Sequence, residues 1–107
     1  YVFILVAYNL EKSSRKPQEK INTLASWATE NGLSFICLTS SLTDQSDAFK
    51  EETGAPYEFF NCDEITLKTI IRSNPGLIVI KDGTVVGKWH YNDIPSPEEF
   101  KEEFMKK

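Results

Sequence analysis

The first eight residues, Tyr1-Val-Phe-Ile-Leu-Val-Ala-Tyr8, form an unbroken apolar run. A membrane-crossing helix takes about 20 apolar residues, so this run is far too short to be one. Its aromatic and β-branched content suits a strand. A strand that is apolar at every position has to be covered on both faces, as in a sheet layered between helices. The opening run therefore points to an α/β protein.

The remaining chain supplies the other elements. Pro17 suits the first turn of a helix, where its missing N–H costs nothing. Ile21, Leu24, Ala25 and Ala28 follow at helical spacing, with Trp27 widening the apolar face, and Asn31-Gly32 ends it. Ser34–Thr39 reads as a second strand, and strand–helix–strand with short links implies a parallel crossover. Thr43 or Ser46 is expected to cap a short helix carrying Ala48 and Phe49 and stopped by Gly54. Pro56 bounds a brief strand over Tyr57–Phe60, an edge able to pair with another chain. Asp63 reads as the N-cap of a helix holding Ile65, Leu67, Ile70 and Ile71, which must stop before Asn74-Pro75. Leu77–Ile80, Asp82-Gly83 and Thr84–Trp89 spell a hairpin with a two-residue turn. Ser96-Pro-Glu-Glu99 is a capping box opening a last helix with Phe100 and Phe104 one turn apart. The expected order is β-α-β-α-β-α-β-β-α: a mixed sheet with a C-terminal β-hairpin and helices on both faces.

Composition narrows the function. The 107 residues suit a single domain, 1–107. The formal net charge of -4 disfavours a nucleic-acid partner, since phosphate neutralisation calls for a basic surface. Two cysteines and one histidine are too few for a four-ligand structural zinc site. No cofactor motif is present. The chain has no initiator methionine, and its apolar start lacks the basic flank and cleavage site of a signal peptide. It reads as a segment of a longer protein.

Few side chains suggest chemistry. Cys37, inside the second strand, reads as a small buried hydrophobe. Cys62 stands just before the Asp63 helix; a helix start favours a reactive thiolate, whereas Asp63 and Glu64 oppose it. A Cys37–Cys62 disulfide is conceivable if the short strand lies beside the second one. His90 has no evident nucleophile or acid partner. Lys12, Arg15, Lys16 and Lys20 form a basic cluster suited either to solvent or to anionic lipid headgroups. Glu98, Glu99, Glu102 and Glu103 with Lys101, Lys106 and Lys107 read as a solvated helix face.

The element order, with Asn74-Pro75-Gly76 directly before the hairpin Leu77–Trp89, resembles the thioredoxin fold, a three-layer sandwich. The extra helix and strand between Leu42 and Phe60 resemble the TlpA/ResA and peroxiredoxin branch. Asp63–Leu77, Lys88-Trp-His90, Asn92-Asp-Ile-Pro95, Phe35–Ser40 and Thr53–Tyr57 further resemble the C-terminal soluble domain of DoxX-family membrane proteins of Bacteroides-type bacteria. The first resemblance implies a cis Asn74–Pro75 bond and a Cys-x-x-Cys at the helix after strand one. That motif is missing: the place holds Asn9–Pro17, with Ser13 and Lys16 about where the cysteines would be, and a hydroxyl cannot replace a thiolate in disulfide exchange. The resemblances together imply a redox-inactive interaction or regulatory domain attached to a membrane protein, membrane-associated through a preceding segment, on a side of the membrane left open. Its expected binding face is Ser13, Lys16, Asn74, Pro75 and Gly76, recognising a protein or peptide by backbone pairing. The alternative is a thiol-dependent oxidoreductase or peroxidase-like enzyme using Cys62, with or without Cys37.

Overall fold

A computed structural model describes residues 1–10, 13–71 and 73–105. Lys12, Lys106 and Lys107, named above, lie outside these. The described elements are β1 (Val2–Val6), α1 (Gln18–Glu30), β2 (Ser34–Thr39), α2 (Thr43–Thr53), β3 (Glu58–Asn61), α3 (Glu64–Ile70), β4 (Gly76–Lys81), β5 (Thr84–His90) and α4 (Pro97–Phe100). A 3₁₀ turn over Tyr91–Asp93 precedes α4, and a π-helical turn over Lys101–Met105 extends it. The order is the one the sequence predicts.

The five strands form one mixed sheet in the order β3-β2-β1-β4-β5. β1 is central, as its unbroken apolar run requires. It pairs in parallel with β2 (Phe3 opposite Phe35) and antiparallel with β4 (Phe3 opposite Val79). β2 pairs in parallel with β3, and β4 with β5 antiparallel. The β4–β5 turn places Asp82 at φ 53° and Gly83 at φ 79°. Two consecutive left-handed residues make the tight hairpin turn that matches strand twist, and Asp-Gly tolerates them.

Alternation along the strands divides the apolar residues between two layers. Phe3, Leu5, Cys37, Leu77 and Val79 join α1, α2 and α4 in the larger cluster, through Ile21, Leu24, Phe49 and Phe100 among others. Val6 and Ile78 meet Leu67 of α3 in the smaller cluster on the other face. An aromatic group centred on Phe3, with Phe35, Trp27 and Phe100 at centroid distances of 5.8, 6.4 and 4.8 Å, ties β1, β2, α1 and α4 together. The result is the predicted helix–sheet–helix sandwich.

Three elements depart from the expected local structure. Neither Thr43 nor Ser46 caps α2. Leu42 holds the N-cap position, and its N–H donates to the Gln45 side chain, which does the capping from inside the helix. Ile65, expected on the apolar face of α3, is exposed, and Ile71, expected within that helix, is its extended C-cap, the chain already turning toward Asn74-Pro75. The last helix passes into a π turn after Phe100, although Phe100 and Phe104 still stack at 4.9 Å.

Candidate functional site

β1 and β2 run parallel, so the segments following them lie at one end of the sheet. In α/β folds such a carboxyl end is where loops converge on ligands. Here the segment from Ala7 to Pro17 meets the turn before β4. The Asn74–Pro75 peptide bond is cis. The Asn74 side chain grips Asn9 in both directions: Asn9 N–H donates to Oδ1 at 3.4 Å, and Nδ2 donates to the Asn9 carbonyl at 2.8 Å. The Ser14 N–H donates to the Asn74 carbonyl at 3.0 Å. Ser13–Lys16 and Asn74–Gly76 are thus brought together, as the sequence reading expects.

What this face presents differs from an open groove. Ser13, Pro75 and Gly76 are buried. The Ser13 hydroxyl has no hydrogen-bond partner among the described residues. The Asn74 carbonyl is taken by Ser14. Gly76 is packed closely: a Cβ there would stand 2.5 Å from Ile71 Cδ1 and push that side chain aside. Only Lys16, Arg15 and parts of Ser14 and Asn74 reach solvent. The Asn74 main-chain acceptor is thus already paired and is not open to an added strand, contrary to the expected backbone pairing.

Arg15 fastens this segment. Its guanidinium donates to the carbonyls of Leu10 at 2.7 Å and Ser13 at 2.8 Å, pairs with Glu52 of α2 at 3.0 Å, and lies over the Phe49 ring. The Arg15 hydrogen bond and charge hold the Glu52 carboxyl below its usual range. The basic cluster expected here is accordingly divided. Arg15 turns toward α2, whereas Lys16 and Lys20 border a separate groove with Glu19, Ser96 and Pro97. The Glu19 carboxylate stands among its lysines and offsets their charge.

A buried polar network lies beneath α1. Gln18 Nε2 donates to Asn22 Oδ1 at 2.8 Å and to the Tyr57 hydroxyl at 3.0 Å, and Asn22 Nδ2 donates to the Thr53 carbonyl. Burial pushes the Tyr57 hydroxyl well above its ordinary value, the nearby Cys37 adding to the rise and Gln18 opposing it. Sequence reading missed this network, the Asn9–Asn74 grip and the Arg15 latch. The Gln18–Asn22 link and the Arg15 bonds to Leu10 and Ser13 are local, but the partners that give each its place, Tyr57, Thr53, Asn74 and Glu52, lie far off in the chain and carry no local signal.

The two cysteines stand apart. Both are free. Cys37 is fully buried in the larger cluster, and burial pushes its thiol strongly upward. Cys62 packs against the smaller cluster on the other side of the sheet. The register explains this: Cys37 lies beside Phe59, and Cys62, three residues further on, falls to the opposite face. The conceivable Cys37–Cys62 disulfide is absent. His90 stacks on Tyr91 at 4.2 Å, and its Nδ1 accepts from the Asn92 N–H. Among the described residues no group of three His, Cys, Asp or Glu could hold a metal ion, and no helix is long and apolar enough to cross a membrane.

No family model matches the chain, and no curated protein does. A solved structure described as a thiol:disulfide interchange protein DsbE from Chlorobium tepidum is similar, with a TM-score of 0.65 at 12% identity. The match covers 83% of this chain and 66% of that one, so the chain spans slightly less than two thirds of its neighbour's length. At this identity the likeness establishes the fold: the chain is a thioredoxin-like α/β domain.

Proposed function

We propose that this chain is one thioredoxin-like domain without thiol redox activity, serving as an interaction or regulatory module of a DoxX-type membrane protein from a Bacteroides-type bacterium. The observation that carries the redox part is positional. Disulfide exchange in this fold needs a thiolate at the start of α1, next to the Asn74–Pro75 turn. That place holds Ser13 and Lys16, bonded through Ser14 to Asn74, while Cys37 is sealed in the core and Cys62 lies on the far layer. Membrane attachment rests on the sequence resemblance alone.

The proposed partner is a protein or peptide that reads the exposed parts of this face, chiefly Lys16, with the Asn74 amide held in place by Asn9. The binding step is non-covalent and asks for no cofactor.

The test is disulfide and peroxide turnover by the chain, with mass-spectrometric mapping of alkylation on Cys37 and Cys62. The expected result is no turnover, with Cys37 unlabelled until the protein unfolds. Turnover abolished by Cys62→Ser would overturn this reading in favour of an enzyme acting through Cys62, the one thiol with any access to solvent.

A further inference from the structure

We propose that β3 is a self-pairing edge, through which two copies of this chain join their sheets antiparallel about a two-fold axis centred on Phe60. The starting observation is the contrast between the two sheet edges. Natural edges are commonly blunted by lysines, prolines or bulges. β5 carries Lys88, an internal glycine at Gly87 and a register irregularity at Val79/Ile80. β3, Glu-Phe-Phe-Asn, is only four residues long and bears one charge, Glu58, but it has no lysine or proline and its register with β2 runs unbroken from Glu58 to Asn61.

An apolar side chain of this edge reaches solvent: Phe60 is 46% exposed. The end of β3 is held in place by Asn61, whose Nδ2 donates to the Ser41 carbonyl. An exposed aromatic ring on an open strand edge favours association. α2 does not seal the edge, because a cleft of about 240 Å³ separates Ser46, Asp47 and Lys50 from β3.

The occupant follows from symmetry and charge. A two-fold axis normal to the sheet keeps each face continuous, so opposed residues must share a face. The centre must then fall on a residue. Centring on Phe59 would set each Glu58 carboxylate against the partner's Phe60, placing charge on an apolar ring. Centring on Phe60 opposes ring to ring, Phe59 to Asn61 and Glu58 to Cys62. No like charges meet, and the exposed Phe60 gains an aromatic cross-strand pair. The strand is complementary to itself, which makes a second copy the fitting partner.

Analytical ultracentrifugation of the chain over a concentration series tests this. The wild type should show a monomer–dimer equilibrium reaching twice the 12.2 kDa monomer mass. Phe60→Lys, which sets two ammonium groups opposite each other, should weaken dimerisation at least about tenfold, with an unchanged circular dichroism spectrum. Register is tested by oxidation. Residues directly opposed across antiparallel strands lie about 4.5–5.5 Å apart at Cα, within reach of a disulfide. In a Cys62→Ser background, Phe60→Cys should therefore cross-link into dimers and Phe59→Cys should not. A wild type monomeric at every concentration, a dimer indifferent to Phe60→Lys, or cross-linking at residue 59 in preference to 60 each overturns the proposal. The first of these outcomes would leave the edge to a different chain.

Discussion

At the scale of single residues, the core holds two groups that ionise only at alkaline pH and are kept neutral by burial. Cys37 and Tyr57 are raised well above their ordinary values of 9.0 and 10.0. A raised value means the folded state holds the proton more tightly than the unfolded state. The stabilisation is complete below pH 9 and is lost progressively as the pH climbs past the unfolded values. Chemical denaturation followed from pH 7 to 11 should thus show stability falling from about pH 9 upward. Cys37→Ala should lower stability at neutral pH through the lost packing. It should also remove the part of the alkaline loss that begins first. Tyr57→Phe should remove the later part while leaving Gln18 Nε2 without its hydroxyl acceptor. A stability profile that stays flat through pH 10 in the wild type would contradict the buried, proton-bearing state of Cys37, and one flat through pH 11 that of Tyr57 as well. Asn74 and Arg15 both depend on position: Asn74 holds main-chain groups of Asn9, 65 positions away, and Arg15 ties its own loop to Glu52 of α2, 37 positions away, so neither link is written in the local sequence.

At the scale of elements, local chemistry was readable wherever the signal and its effect share a few residues. Asp82-Gly83 gave the hairpin, Asp63 capped α3 through the Thr66 N–H, and Ser96 with Glu99 made the capping box at 3.1 and 2.9 Å. The Ser96 main-chain N–H, and then its hydroxyl, hold the Glu99 carboxyl below its usual range, with Lys20 adding a smaller effect. Ser96→Ala should therefore lower stability by about 1 kcal/mol, as cap losses do, measured by urea denaturation at neutral pH. Protonating Glu99 below its depressed value should erase part of the cap, so acid should cost the wild type more than it costs Glu99→Ala. Equal acid sensitivity in these two proteins would show that the carboxylate contributes nothing to the box. Elements were misread where a short helix made periodicity ambiguous. α3 has only seven residues, and its buried Leu67 lies two positions from Ile65. At 3.6 residues per turn, that is about 200° around the helix, so the two cannot face one core. Leu42 was missed as an N-cap because the capping group, Gln45, acts from three residues inside.

For the molecule as a whole, the fold was legible because the apolar run of β1, the crossover and the hairpin admit few other arrangements. The site was legible only in outline. Sequence placed Ser13, Lys16 and Asn74–Gly76 near one another, but it could not show which of them end buried, since that depends on bonds such as Ser14 to Asn74 across 60 positions. The separation of Cys37 from Cys62 was equally hidden, because it follows from strand register. That same register makes the two apolar layers interdependent: β1 and β4 contribute to both, Phe3, Leu5, Leu77 and Val79 to one and Val6 and Ile78 to the other. Neither layer can come apart without taking strands from its neighbour. The radius of gyration, 12.9 Å, is that of one compact body of this length, about 13 Å. Unfolding should accordingly be a single transition. Leu24→Ala, in the layer that holds Trp27 and is packed by Trp89, and Leu67→Ala, in the layer that holds neither, remove fully buried side chains. Each should cost about 2–5 kcal/mol, lowering the melting temperature by at least about 8 °C. Tryptophan fluorescence, which reports only the first layer, should follow far-UV circular dichroism at the same midpoint in both variants. If Leu67→Ala melted α3 while the tryptophan signal kept its wild-type midpoint, the two layers would be separate folding units, and the claim that one sheet couples them would fail.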